Sequence, residues 1–199
     1  MPPTNVNAAG DAPRPAGAES ATGYRSIAYF IPAELHARLK AAWWSTRDEP
    51  EGAPSLAGLV ELAFVRETDH LEGLYNSGAP FPLAPARAQG VNPRGAVGYS
   101  HQTYYLPAAL HARLKAAWWS TRDEQEGASS LAGLVAAAFV READRLEGLY
   151  NSGAPFPPAP ARARGISRTA AQRQGEWLRG EWERRRQAQA PGDAETPKG

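Results

Sequence analysis

The chain has no cysteine. That excludes a disulfide-stapled scaffold and thiolate metal sites, and it fits a reducing cytosol. Lysine is scarce, and the net charge is only +1 with a pI near 8.1. A balance so near neutral carries no signal for or against nucleic acid. No apolar run approaches the ~20 residues a membrane span needs. The N-terminus, MPPTNVNAAGDAPRPAGAESATG, lacks the apolar centre of a secretory signal. A cytoplasmic protein without a membrane partner is expected. Glycine and proline, by contrast, are plentiful at 19 and 18 residues. Many fall outside the periodic stretches, so the ordered part is smaller than the chain.

What the chain does have is a copy of itself. LHARLKAAWWSTRDE runs from Leu35 to Glu49 and again from Leu110 to Glu124, 75 residues on. At that shift residues 23–90 align with 98–165 without a gap. A period this long and only two copies point to a duplicated small domain rather than a solenoid. The copies differ most in one short segment. Residues 25–31 read RSIAYFI in the first, and residues 100–106 read SHQTYYL in the second.

Each copy has the same internal grammar. Residues 24–31 are aromatic and β-branched, with Ile27, Tyr29 and Ile31 alternating against Ser26, Ala28 and Phe30. Period two of this kind predicts one strand. Pro32 then opens a helix to about Arg47, where Leu35, Leu39, Ala42 and Trp43 share a face. DEPEGAP breaks it. Ser55 caps a second helix with an apolar stripe of Leu56, Leu59, Val60, Ala63, Phe64, Leu71 and Leu74. Asn76-Ser77-Gly78 ends that helix with residues that tolerate left-handed backbone. The second copy repeats this, with its strand around 101–106, a helix from Pro107 and a cap at Ser130. The expected organisation is a disordered arm (1–22), unit 1 (23–78), a proline-rich linker (79–97), unit 2 (98–153), a proline-rich spacer (154–166), a basic amphipathic helix (167–190) and a disordered tail (191–199).

A single strand leaves its N–H and C=O groups without partners, and one strand with two helices is too little for a core. The economical solution is to pair the two units. Their strands would form a two-stranded antiparallel ribbon over four helices, with Ile27, Tyr29 and Ile31 inward and Ser26, Ala28 and Phe30 outward. The expected fold is mainly α with that ribbon, an intramolecular pseudodimer. Gln102 breaks the apolar pattern at the inward position held by Ile27 in the first copy.

Strand, proline, helix, glycine turn, serine cap, helix resembles the layout of ribbon-helix-helix DNA-binding proteins, in both copies. The wording at 104–119 (YYLPAALHARLKAAWW), 130–135 (SLAGLV) and 141–157 (READRLEGLYNSGAPFP) resembles the ParB-type centromere-binding proteins of plasmids from GC-rich bacteria. Two units in one chain depart from the common single-unit arrangement. The resemblance implies a ribbon in the major groove of duplex DNA, with outward strand side chains on base edges. By position the readers are Ser26, Ala28, Phe30, His101, Thr103 and Tyr105. Phosphate contacts are implied at the second-helix N-termini, by Ser55, Leu56 and Ala57 and by Ser130, Leu131 and Ala132. Arg25 is a further candidate from the start of the strand. A partition ATPase is the implied protein partner, met by a disordered arm whose one basic residue is Arg14. Further self-association on DNA is left open.

Other features carry blander readings. Trp43 and Trp118 read as core, while Trp44 and Trp119, with Trp177 and Trp182 in the C-terminal segment, are candidate partner contacts. His36, His70, His101 and His111 make no metal-ligand spacing. Glu67, Asp69 and Glu72 read as a solvated helix face with one-turn charge pairs, Arg66 serving Asp69. With no nucleophile-base set and no phosphate loop, neither an enzyme nor a cofactor is expected. Two rivals to partition remain: a repressor or antitoxin of the same fold, and a protein-interaction module displaying Trp44, Trp119 and the tail.

Overall fold

The structure, a computed structural model, describes residues 23–88 and 97–163. Arg14, Trp177 and Trp182, with the arm, the C-terminal helix and the tail expected around them, lie outside the described residues.

Six elements appear in the order β1 (Tyr24–Pro32), α1 (Ala33–Thr46), α2 (Leu56–Tyr75), β2 (Tyr99–Pro107), α3 (Ala108–Thr121) and α4 (Leu131–Tyr150). Each proline closes its strand and serves as the N-cap of the next helix, which begins one residue later than expected. The two strands pair antiparallel, Tyr24 opposite Pro107 and Pro32 opposite Tyr99. Ala28 therefore faces Thr103, its own counterpart 75 residues on. The register treats the two copies as equivalent.

The same exchange recurs at the helix starts. The amide of Ala33 donates to the carbonyl of Gly98 and that of Ala108 to the carbonyl of Gly23, both at 2.8 Å. A first-turn amide of each copy is thus satisfied by the strand entry of the other. α1 packs on α4, α3 on α2, and α2 on α4. At the centre Phe64 and Phe139 stack with centroids 5.7 Å apart and planes 4° off parallel. Tyr29 meets Phe64 edge-on, and Tyr104 meets Phe139 in the same way. Leu39, Leu59, Leu71, Leu114, Leu134 and Leu146 are fully enclosed around these rings. Trp43 and Trp118 lie in this core as expected.

The turn after each first helix depends on one glycine. A Cβ on Gly52 would fall 1.6 Å from the carbonyl oxygen of Thr46, and one on Gly127 would fall 1.5 Å from that of Thr121. Only glycine lets the chain double back here. The described parts of the proline-rich segments lie against the body. Phe81 and Ala84 pack against the core and Ala88 is buried; their counterparts Phe156 and Ala159 pack in the same way and Ala163 is buried.

The acidic helix face is corrected by the structure. Glu67 and Glu72 are buried, not solvated, and their partners come from the other copy. Arg141 donates to Glu67 at 2.6 Å, and Arg113 holds Glu72 through two nitrogens while reaching Asp69 at 2.6 Å. The mirror set is Arg66 on Glu142 at 2.5 Å, and Arg38 on Glu147 and Asp144. Arg66 does not serve Asp69; it reaches back to Glu51. The Glu147 hydrogen bond, despite some burial, holds the Arg38 guanidinium above its ordinary pKa. These carboxylates tie one repeat to the other.

Candidate nucleic-acid interface

The ribbon has two chemically distinct faces, as period two requires. Toward the helices, Tyr29, Ile31, Tyr104 and Leu106 are buried, while Ile27 and Gln102 are half-buried. The polar Gln102 is accommodated because its amide donates to the Ser100 hydroxyl at 3.2 Å, and that hydroxyl donates to the carbonyl of Ile31 at 3.4 Å.

On the outer face all six expected readers are neighbours. Ser26 stands opposite Tyr105, Ala28 opposite Thr103, and Phe30 opposite His101. Ser26, Ala28, His101, Thr103 and Tyr105 are exposed. Phe30 departs from the expected solvent position: it is half-buried, because its ring lies edge-on to His101 with centroids 5.0 Å apart. Apart from Tyr24, Tyr99 and the prolines, these three cross-strand pairs make up the face. Thr103, His101, Ser26 and Tyr105 can exchange hydrogen bonds, whereas Ala28 and the Phe30 edge offer apolar contact suited to a thymine methyl.

Arg25 is exposed but shares the parity of the helix-facing residues, opposite Leu106, at the ribbon's end. Burial, with the positive charges of Arg25 and Lys115, pulls the pKa of His111 down to about 4. His36 is lowered too, by burial and Lys40. Both imidazoles are thus neutral near pH 7 and add no cationic phosphate contact.

The helix N-termini form as the serines predict. The Ser55 hydroxyl accepts the Gly58 amide and the Ser130 hydroxyl the Gly133 amide, each at 3.0 Å. The carbonyls of Ser55 and Ser130 take the amides of Leu59 and Leu134. The first two helical amides, on Leu56 and Ala57 and on Leu131 and Ala132, precede those bonds and carry the positive end of the helix dipole.

Trp44 and Trp119 are not open platforms. Both are half-buried against the core, and the guanidiniums of Arg47 and Arg122 lie over their rings at 3.9 and 4.1 Å. Those arginines are tied down by hydrogen bonds to the carbonyls of Trp44 and Trp119. A shallow recess between α2 and α4 is lined by Arg66, Glu67, His70, Arg141, Glu142 and Arg145, and belongs to the ion-pair network. No metal-holding cluster of His, Asp or Glu occurs among the described residues, and no helix there is long and apolar enough to cross a membrane.

Residues 110–156 match the family of the centromere-binding protein ParB C-terminal domain. The matched stretch begins inside α3, after β2, and covers the rest of α3 and all of α4. The first copy differs from it at six of the equivalent positions: Pro50, Pro54, Glu61, Leu62, Thr68 and His70 stand where the second has Gln125, Ser129, Ala136, Ala137, Ala143 and Arg145. No curated protein and no solved structure matches the chain.

Proposed function

We propose that this chain, whose residues 110–156 match the centromere-binding ParB C-terminal family, is a single-chain pseudodimer that lays its ribbon in the major groove of a partition centromere. DNA binding in partition is the family's role; the ribbon geometry and the residue assignments are our reading. The observation that carries it is the outer ribbon face, where Ser26/Tyr105, Ala28/Thr103 and Phe30/His101 bring six side chains together, five of them exposed. A two-stranded ribbon fits the ~12 Å major groove, where each base pair shows a distinct pattern of donors and acceptors.

Positioning falls to the helix N-termini. The amides of Leu56 and Ala57, and of Leu131 and Ala132, would each clamp a phosphate beside the groove, with Ser55 and Ser130 fixing the caps. Arg25 adds a contact at one ribbon end. Backbone amides displace few counterions, so affinity should fall with salt less steeply than for a lysine-rich binder. The N-terminal arm carrying Arg14 would meet the partition ATPase.

The test is an electrophoretic shift on fragments tiling the DNA that encodes the chain. One fragment should shift at concentrations that leave the others free, and His101→Ala with Thr103→Ala should erase that preference while the circular dichroism spectrum is unchanged. If no fragment is preferred by the parent protein, the partition reading is wrong.

A further inference from the structure

At the recess between α2 and α4 the two copies differ in charge. On the unit 2 side Arg145 lies along Glu142, its Nε donating to Oε2 at 3.1 Å and a terminal nitrogen to Oε1 at 2.9 Å. The same guanidinium reaches the Glu51 carboxylate at 3.3 Å and the Glu51 carbonyl at 3.1 Å. Arg66 brings a second guanidinium to the same two acids, at 2.5 Å and 3.3 Å. Two arginines thus meet two carboxylates. On the unit 1 side the acids are Glu67 and Glu126, held by Arg141 at 2.6 Å and 2.5 Å. His70 stands where unit 2 has Arg145. Glu67 and Glu142 are equally enclosed, at 2% exposure. Yet the Oε2 of Glu67 is buried with no hydrogen-bond partner among the described residues, whereas both oxygens of Glu142 have one.

A buried acceptor left without a donor is costly, and more so when it is charged. Unit 2 shows the shape of the group that satisfies it. Every acceptor used by Arg145 has its counterpart in unit 1: the two oxygens of Glu67, with the carboxylate and carbonyl of Glu126. An imidazole has two ring nitrogens to offer, while a guanidinium presents five donors in a planar fork. The recess, which Glu67 and His70 both line, has a volume of about 80 Å³. That is several times the room one water needs.

We propose that this place in unit 1 is a binding slot for the guanidinium of an arginine presented by a partner protein, and that Arg145 fills the equivalent slot in unit 2 from within.

Charge and surroundings choose the occupant. Arg141 opposes two carboxylates, so one further positive charge balances the set as it is balanced in unit 2. His70 is exposed, which leaves the slot approachable from outside. One turn further along α2, Leu74 is 54% exposed. A peptide that inserts an arginine can cover that leucine as well, and a small free cation cannot. No ribbon residue and no capping amide takes part, so the test stands apart from DNA binding.

The probe is the peptide acetyl-Gly-Arg-Gly-amide, titrated into the full chain and followed by the NMR shifts of the backbone amides at 66–70 and 126. It should saturate one site and bind at least about tenfold more tightly than the same peptide with citrulline, which keeps the shape and drops the charge. The lysine peptide should also bind more weakly, because an ammonium is a point charge and not a fork. His70→Arg supplies the guanidinium internally and should abolish binding. Arg145→His gives unit 2 the unit 1 arrangement and should raise the stoichiometry from one to two. No saturable binding by the parent overturns the proposal; the Glu67 oxygen is then served by water or by an arginine of the chain itself. A His70→Arg protein that still binds overturns it too, as does a single site in Arg145→His or a lysine peptide that binds as tightly. Agmatine, a guanidinium without a peptide, should bind less tightly than the arginine peptide, and equal or tighter binding overturns the protein source.

Discussion

The strands and the helices of the two repeats have fared differently. Between residues 35 and 81 the copies differ at six positions, whereas within the seven-residue strand segments RSIAYFI and SHQTYYL only Tyr29 and Tyr104 coincide. The helices carry a shared burden: each must pack on the other copy's helices and present arginines to its carboxylates. A change there is felt on both sides of the molecule. Most outer strand positions are exposed, so packing constrains them less than it does the helices. Divergence at Ser26/His101, Ala28/Thr103 and Phe30/Tyr105 is what is expected of a surface that reads something, laid on a scaffold that does not.

That contrast can be broken hardest at the scaffold. Glu147→Ala takes from Arg38 its buried carboxylate partner and leaves the exposed Asp144, and Glu72→Ala does the same to Arg113, leaving Asp69. Losing one partner of a buried pair costs ~3–5 kcal/mol. The arginines are partly solvated here, so about 2–3 kcal/mol is expected for each by urea unfolding. Equal losses in the two variants would confirm that the copies are equivalent below the ribbon.

The ribbon should show the opposite behaviour, with equivalent positions giving unequal effects. His101→Ala and Thr103→Ala should each weaken binding to the preferred site by about 1–3 kcal/mol, the worth of a good base contact. Ser26→Ala should cost less, and Ala28→Ser close to nothing, in the same anisotropy titration. Stability should stay within about 0.5 kcal/mol throughout, since these positions lie outside the core.

The strands, helices, caps and ribbon pairing were legible because each has a local period or punctuation mark. Ile27, Tyr29 and Ile31 alternate, Ser55 precedes an apolar stripe, and a lone strand needs a partner. The gap-free repeat supplied that partner. The buried carboxylates were not legible. Glu67 and Glu72 sit on a helix among Arg66 and Asp69, and a single helix offers no sign that Arg141 and Arg113 will arrive from 74 and 41 residues away. The signal, in retrospect, is that Arg38, Glu67 and Glu72 all recur unchanged as Arg113, Glu142 and Glu147, which a freely solvated face does not require. Phe30 has the parity of the outer face, but the contact with His101 that half-buries it depends on the register of a strand 71 residues on.

Glu61 sharpens the comparison by pH. Its carboxyl titrates near 8 when folded, against an ordinary 4.5. The folded protein therefore holds the extra proton between those values, so stability is highest below about pH 4.5 on this account and falls as pH rises through 8. Glu61→Gln should remove that decline and gain about 1–2 kcal/mol at pH 9 relative to the parent. Ala136→Gln, in the other copy, should show no such pH dependence.

The smallest effect expected is at His70. In unit 2 Arg145 bridges Glu142 and Glu51, while His70 occupies the equivalent place in unit 1. His70→Arg should complete the second bridge and stabilise by no more than about 1 kcal/mol, as partly exposed pairs do. Arg145→His should lose a similar amount in the same thermal melt.

The most direct test of the account is selection from a random duplex library. A symmetric reader selects a palindrome, because two identical half-readers see the same bases on opposite strands. This ribbon should select two unlike half-sites, the stricter under His101 and Thr103. Replacing Ser26, Ala28 and Phe30 by His, Thr and Tyr should shift the selected site to a palindrome built from that stricter half. If parent and substituted chains select the same site, or neither selects any, the outer face of the ribbon does not read DNA sequence.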